Sequence, residues 1–165
     1  MQFLAQIRLQ DVDPDGGDLM SIFMCQNDPG LCDEWDAVAG GNAAFVFGPN
    51  SLEFAAVPEG ENTRLAEVSA VDFVPVESDD YDHERERWQQ DTGRPVRDVL
   101  GQAGGQPAWI QDDETPACEV CDQTMSFVVQ LEEGHNHQTG ANFGGGCGYG
   151  FCCSTCRTAA FLWQQ

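Results

Sequence analysis

Four of the eight cysteines in this 165-residue chain fall in two pairs, Cys118-Glu-Val-Cys121 and Cys153-Ser-Thr-Cys156, with 31 residues between them. A CxxC turn presents two sulfurs to one ion. Two such turns fill all four corners of a tetrahedral zinc site and leave no position for a substrate, which is the structural rather than the catalytic arrangement. The spacing therefore predicts one structural Zn2+ held by Cys118, Cys121, Cys153 and Cys156. Buried thiols acting as small hydrophobes are the bland alternative. A redox-active CxxC needs an exposed cysteine of lowered pKa at a helix start, and no strand-helix-strand pattern surrounds either pair.

Several residues compete for places in that ligand set. Cys152 adjoins Cys153 and can pair with Cys156 in its stead. His135 and His137, in the loop EEGHNHQTG, are near enough in sequence to replace one sulfur, although a glycine-flanked histidine pair more often faces solvent. Cys147, in FGGGCGYG, reads as structural or free. It is also the only thiol with a histidine close by in sequence that suggests a nucleophile and base, and nothing else supports that pairing. The chain contains no G-x-S-x-G, H-E-x-x-H or G-K-[ST] motif, and no helix pattern follows the glycines at 144–150. The expectation is a protein that is not an enzyme, with a metal- or thiol-dependent enzyme as the alternative.

Charge narrows the partners. There are 28 acids against seven Arg and no Lys, for a formal charge of −21. Such a surface repels phosphate backbones and anionic membranes and attracts a basic protein. No apolar run reaches the ~18–20 residues that cross a bilayer, and MQFLAQIRLQDVD lacks the basic flank and apolar core of a secretory signal. A cytoplasmic location follows, where thiols stay reduced and cysteines serve metal before disulfides. With 41% hydrophobic residues the chain is no disordered acidic tail, and its length suits a single domain over 1–165.

The elements that must position these cysteines are mostly short strands. Alternating or apolar runs predict strands at 2–9, 19–25, 43–48, near 53–57, 66–76, 125–131, 148–153 and 158–163. An Asp-rich start and helix formers around Trp88 predict a helix within 79–92. DVDPDGGD is an acidic turn that lacks the final Glu of a calcium loop. Residues 100–111 are rich in turn formers; within them GGQPAWIQ leads Trp109 towards the core as an apolar anchor, whereas Trp35, flanked by acids, suits partial exposure. The fold class is mainly antiparallel β, with α+β as the alternative.

The chain also aligns on itself. MQFLAQI (1–7) matches MSFVVQL (125–131), Ile22-Phe23-Met24-Cys25 matches Gly150-Phe151-Cys152-Cys153, Cys32 follows as Cys156 does, and Asn42–Phe47 matches Thr158–Trp163. These blocks divide the chain into pseudo-repeat one (1–57), a connecting segment (58–100) and pseudo-repeat two (101–165), each repeat supplying three strands. In the second repeat a CxxC lies seven and four residues before Met125. The matching places fall ahead of Met1. Cys25 and Cys32 thus read as half of a second zinc site, and the expectation is that the native protein or its relatives begin earlier, with Met1 an internal methionine.

The blocks MQFLAQIRL, FMCQNDPGLCDEWD, GGQPAWIQ and YGFCC-STC-AAFLWQQ resemble the bacterial YwqG-like family of unknown function, over nearly the whole chain but weakly across 58–100. The duplicated cysteine plan is similar, more distantly, to the C-terminal domain of programmed cell death protein 2. The resemblance implies an escort role towards a nascent ribosomal protein on one side and an immunity role on the other. With the charge, it leads to the expectation of a zinc-stabilised cytosolic protein that binds a basic partner protein.

Overall fold

The computed structural model describes residues 1–14, 17–26, 31–48, 53, 56, 59, 69–134 and 140–165. Seven strands form one antiparallel sheet: β1 (Gln2–Arg8), β2 (Leu19–Met24), β3 (Asn42–Phe47), β4 (Gly101–Ala103), β5 (Ser126–Glu132), β6 (Cys147–Cys153) and β7 (Thr158–Gln164). Their order across the sheet is β1-β2-β3-β7-β6-β5-β4, so the β3–β7 pair joins the three-stranded meander β1–β3 to the four-stranded meander β4–β7. Among the described residues one α-helix, α1 (Tyr81–Thr92), lies between β3 and β4 in the chain. Mainly antiparallel β with one short helix is thus the observed class.

The sheet curls on itself. Although β3 and β7 stand between β2 and β6, a Cβ added to Gly150 of β6 would sit 3.0 Å from Met20 Cε and 3.1 Å from Ile22 Cδ1 of β2. The two strands face each other across the core. Alternation puts Met20, Ile22 and Met24 on the inward face of β2, against Phe161 and Trp163 of β7 and Val129 of β5. The large side chains of Met20 and Ile22 on β2 thus meet Gly150 on β6, where the missing side chain leaves room for them. The opposite face of β5–β7 carries a second cluster built on Tyr149, Phe151, Leu162 and Met125, against which Trp109 packs.

The two hairpins that flank the sheet share a register. Phe3 pairs with Phe23 and Ala5 with Ile22, leaving a bulge between them. Phe127 pairs with Phe151 and Val129 with Gly150, with the bulge at the corresponding place. The third strands do not follow the sequence alignment, which sets Asn42 against Thr158. Met24 faces Asn42 whereas Cys152 faces Ala159, one residue further on. A one-residue slip exchanges faces. Accordingly Phe45 lies outside, ring to ring with Phe23 at 6.0 Å, while Phe161 is fully buried in the inner core.

Other expectations need adjusting. The strand predicted over 66–76 is absent from its described part: residues 69–76 pair with nothing in the sheet and expose Phe73 and Val74. Their apolar spacing imitates a strand without a neighbouring edge to join. Most of 53–57 lies outside the described residues. The turn-rich stretch 100–111 contributes a three-residue edge strand, β4, because Gly101 adopts φ +142° and passes so close to the Gln130 carbonyl that no Cβ would fit. The helix begins where predicted: the Asp80 side chain accepts from the His83 N–H, and Gly93 closes it at φ +68°.

Two buried glutamines anchor the segment that carries Trp109. Gln130 Oε1 accepts from Gln102 Nε2 and from the Ala108 N–H, both at 3.0 Å. Gln164 Oε1 accepts from the Gln111 N–H at 3.0 Å, and its Nε2 donates to the Asp112 carbonyl at 2.9 Å. Trp109 then stacks at 4.5 Å from the Tyr149 ring and 5.8 Å from Phe151. It is a half-buried anchor, as expected, and it sits outside the strands. Trp35 is 43% exposed, as its acidic neighbours suggest.

Candidate metal centre

Each CxxC forms the same turn. In the first, a bridge between Ala117 and Thr124 brings the chain back on itself, the Cys118 carbonyl accepts from the Asp122 N–H at 2.8 Å, and Asp122 is left-handed at φ +57°. In the second, which continues directly from β6, the Cys153 carbonyl accepts from the Arg157 N–H at 2.8 Å, and Arg157 has φ +56°. Left-handed backbone at a residue other than glycine is uncommon. Here it turns the chain away just after the second cysteine, so that both sulfurs of a turn point the same way.

The sheet brings the turns together. The Sγ atoms of Cys118, Cys121, Cys153 and Cys156 all lie within 4.8 Å of one another, with Cys118 and Cys153 buried and the other two half-buried. Cys121 Sγ and Cys153 Sγ are 3.8 Å apart. A disulfide would need about 2.05 Å, whereas sulfurs at the corners of a tetrahedron about 2.3 Å from zinc stand about 3.8 Å apart. The donor set and its spacing therefore fit a zinc-sized, thiophilic cation. Among the described residues this is the one cluster of its kind.

The protons on these sulfurs are unevenly held. The Thr158 hydroxyl, 3.3 Å from Cys118 Sγ, holds that thiol down to about 6, helped by the Val120 N–H. Hydrogen bonding to Cys121, followed by burial, pushes the Cys156 thiol up to about 12. Thr158 escaped the sequence reading. A threonine two residues past a cysteine is an ordinary strand opener, and only the fold carries it to the other turn.

The structure sets two of the competing ligands, Cys152 and Cys147, apart from the cluster. Successive strand residues face opposite ways, so Cys153 joins the sulfur cluster while Cys152 belongs to the inner core that also holds Phe161 and Trp163. His135 and His137 lie outside the described residues. Cys147 is buried against Glu132, with Sγ 3.5 Å from Oε1; burial first, and then the Glu132 charge, push its thiol up to about 12. That is the reverse of an activated nucleophile. The same carboxylate accepts from Tyr81 Oη at 2.9 Å and pairs with Arg85 at 3.3 Å, fastening α1 to the end of β5. Cys25 and Cys32 meet one another, Sγ to Sγ at 3.2 Å, outside the four-sulfur cluster.

No protein-family model matches the chain, and no solved structure matches it. Over 67 residues, 41% of this chain, it is 42% identical to the uncharacterized protein YpfL of Salmonella typhimurium (strain LT2), and that match covers 15% of the Salmonella protein's length. No helix among the described residues is long and apolar enough to cross a membrane.

Proposed function

We propose that the chain is a zinc-stabilised, non-enzymatic binding protein of the cytoplasm, whose acidic surface engages a basic partner protein. The observation that carries the zinc half is the cluster itself: four sulfurs lie within 4.8 Å of one another, and on this reading they would fill all four corners of a tetrahedral ion and leave no place for substrate or activated water. On this reading the ion cross-links the turn before β5 to the turn between β6 and β7, and its binding energy is folding energy. The shared register and bulge of the two hairpins support an origin by duplication of a three-stranded unit, with the cysteine turns as one of its recurring parts. The kinship with the YwqG-like family belongs to the same proposal.

The partner half rests on charge and on one exposed face. A net charge of −21 steers cations towards the chain. Across β1, β2 and β3 the rings of Phe3, Phe23, Phe45 and Phe47 touch in series at 5.7, 6.0 and 6.1 Å. Phe3 is 44% and Phe45 49% exposed. Long-range attraction followed by apolar contact on this stripe is the mode by which immunity and escort proteins hold cationic clients.

Native mass spectrometry of the reduced protein tests the zinc half directly: one zinc per chain bound by the four-sulfur cluster, lost on Cys118→Ser. Affinity capture on the immobilised chain tests the partner half. A basic protein whose affinity falls at least tenfold between low and high salt, and falls again on Phe45→Ser, supports it. An affinity indifferent to salt overturns it. Rapid alkylation of Cys147 in the zinc-loaded protein would favour a thiol-dependent enzyme instead.

A further inference from the structure

We infer that Cys25 and Cys32 form a second metal-binding pair, placed at the end of β2 as Cys153 is at the end of β6 and selective for a thiophilic cation of the zinc class. Three independent observations lead there. Cys25 follows the last residue of β2 as Cys153 ends its own strand: the pairs Phe3–Phe23 and Phe127–Phe151 set Met24 level with Cys152, and hence Cys25 level with Cys153. The Sγ atoms of Cys25 and Cys32 stand 3.2 Å apart although seven positions separate the residues. The third observation is conformational. Among the described residues, the non-glycine positions with left-handed φ are Asp33 at +50°, Asp122 at +57° and Arg157 at +56°, and each directly follows a cysteine.

A backbone cost repeated after Cys32, Cys121 and Cys156 calls for a common cause. In the four-cysteine cluster that conformation aims two sulfurs at one point. The described residues around Cys25 and Cys32 are firmly held as well. The Cys25 N–H donates to the Gly41 carbonyl at 2.8 Å, and a Cβ on Gly41 would collide with the Cys32 carbonyl. Buried Glu34 accepts from the Cys32 N–H at 3.2 Å, and Asn42 Nδ2 donates to the carbonyls of Glu34 and Asp36 at 2.8 and 3.0 Å. Buried polar groups spend their hydrogen bonds on fixing this turn rather than on filling space. Two thiolates give a cation a soft seat of lower affinity than four, with solvent or a second copy of the chain completing its coordination.

The test is a cobalt titration of the metal-free, fully reduced chain beside Cys25→Ser/Cys32→Ser, with far-ultraviolet circular dichroism to establish folding. The wild-type chain takes up a first equivalent and then a weaker further one, with about half the sulfur-to-metal charge-transfer intensity because two sulfurs bind rather than four. The double variant takes up the first alone. Should the further uptake be half an equivalent and accompany dimerisation, the pair is confirmed and the remaining ligands belong to a second copy. Identical uptake by both proteins overturns the inference. Loss of the first equivalent from the folded variant would instead count against the four-cysteine reading, so the two fail separately. Cadmium NMR of the wild-type chain gives a check free of any variant: two resonances support the second site, and a single one overturns it.

Discussion

Thr158 Oγ1 lies 3.3 Å from Cys118 Sγ, joining the first residue of β7 to the first cysteine of the opposite turn. The hydroxyl stabilises the thiolate and is the largest reason that this thiol sits near 6. Thr158→Val keeps the volume and removes the donor. Groups that hydrogen-bond to a metal ligand are worth about 10- to 100-fold in affinity, so zinc retention against a competing chelator dye should fall by that factor at pH 7. Thr158→Ser should retain it. With the hydroxyl gone, Cys118 must release its proton from a thiol nearer the ordinary value. The deficit should therefore widen as pH falls from about 9 towards 6, where the native thiol begins to protonate as well.

Cys152 and Cys153 are neighbours with opposite fates, and substitution should separate them. Cys153→Ser removes a ligand from the cluster, so it should abolish stoichiometric zinc and lower the melting temperature to that of the chelator-treated protein. Cys152→Ala removes one sulfur from the inner core. It should retain one zinc at the four-sulfur cluster and cost about 1 kcal/mol, the ordinary size of a core truncation effect. Zinc counted by native mass spectrometry and chemical denaturation of both variants make the comparison.

The curl of the sheet depends on Gly150. A Cβ there meets Val129 Cγ1 and Met20 Cε at 3.0 Å and Ile22 Cδ1 at 3.1 Å. Met20 can yield, but the branched side chains of Val129 and Ile22 have few rotamers to move into. Gly150→Val should destabilise by about 1–3 kcal/mol through overpacking. Combining it with Ile22→Ala should cost less than the two single changes together, because the new side chain fills the space vacated. Additive losses in a double-mutant cycle would mean that β2 and β6 do not face one another.

Much of this arrangement is legible in the residues because the signals are local. Met20, Ile22 and Met24 alternate, Asp80 and Gly93 punctuate the helix, and each CxxC turn is complete within four residues. What the residues conceal is non-local. Residues 69–76 carry the apolar spacing of a strand and find no edge, while Gly101 joins an edge because its missing side chain permits a close approach to Gln130. The third aligned block fails for a related reason. Asn42 and Thr158 both precede an Ala-Ala-Phe run, but pairing with β2 and β6 places the two phenylalanines on opposite faces. Composition cannot report a slip of one residue. Cys152 competes with Cys153 as a ligand for the same reason, although the self-alignment, which sets Cys153 against Cys25, already favours Cys153.

The polar group beneath α1 makes stability fall at high pH. Burial and the nearby Glu132 carboxylate push the Cys147 thiol up to about 12, and burial raises Tyr81 and Tyr149 as well. A thiol raised on folding contributes stability in full below its unfolded value, near 8.5. As pH rises past that point the unfolded chain ionises while the folded one does not, so the contribution drains away until the folded thiol itself ionises near 12. Thermal melts between pH 8 and 11 should accordingly show a declining midpoint, and Cys147→Ala should flatten part of the decline while the two tyrosines preserve the rest. The same protonation explains why Cys147 should resist iodoacetamide in the folded protein. At pH 8 its thiolate fraction is on the order of a thousandfold below that of a free cysteine, so alkylation should track unfolding rather than reagent concentration. A variant slope indistinguishable from the wild type would mean that Glu132 and its neighbours do not hold this proton.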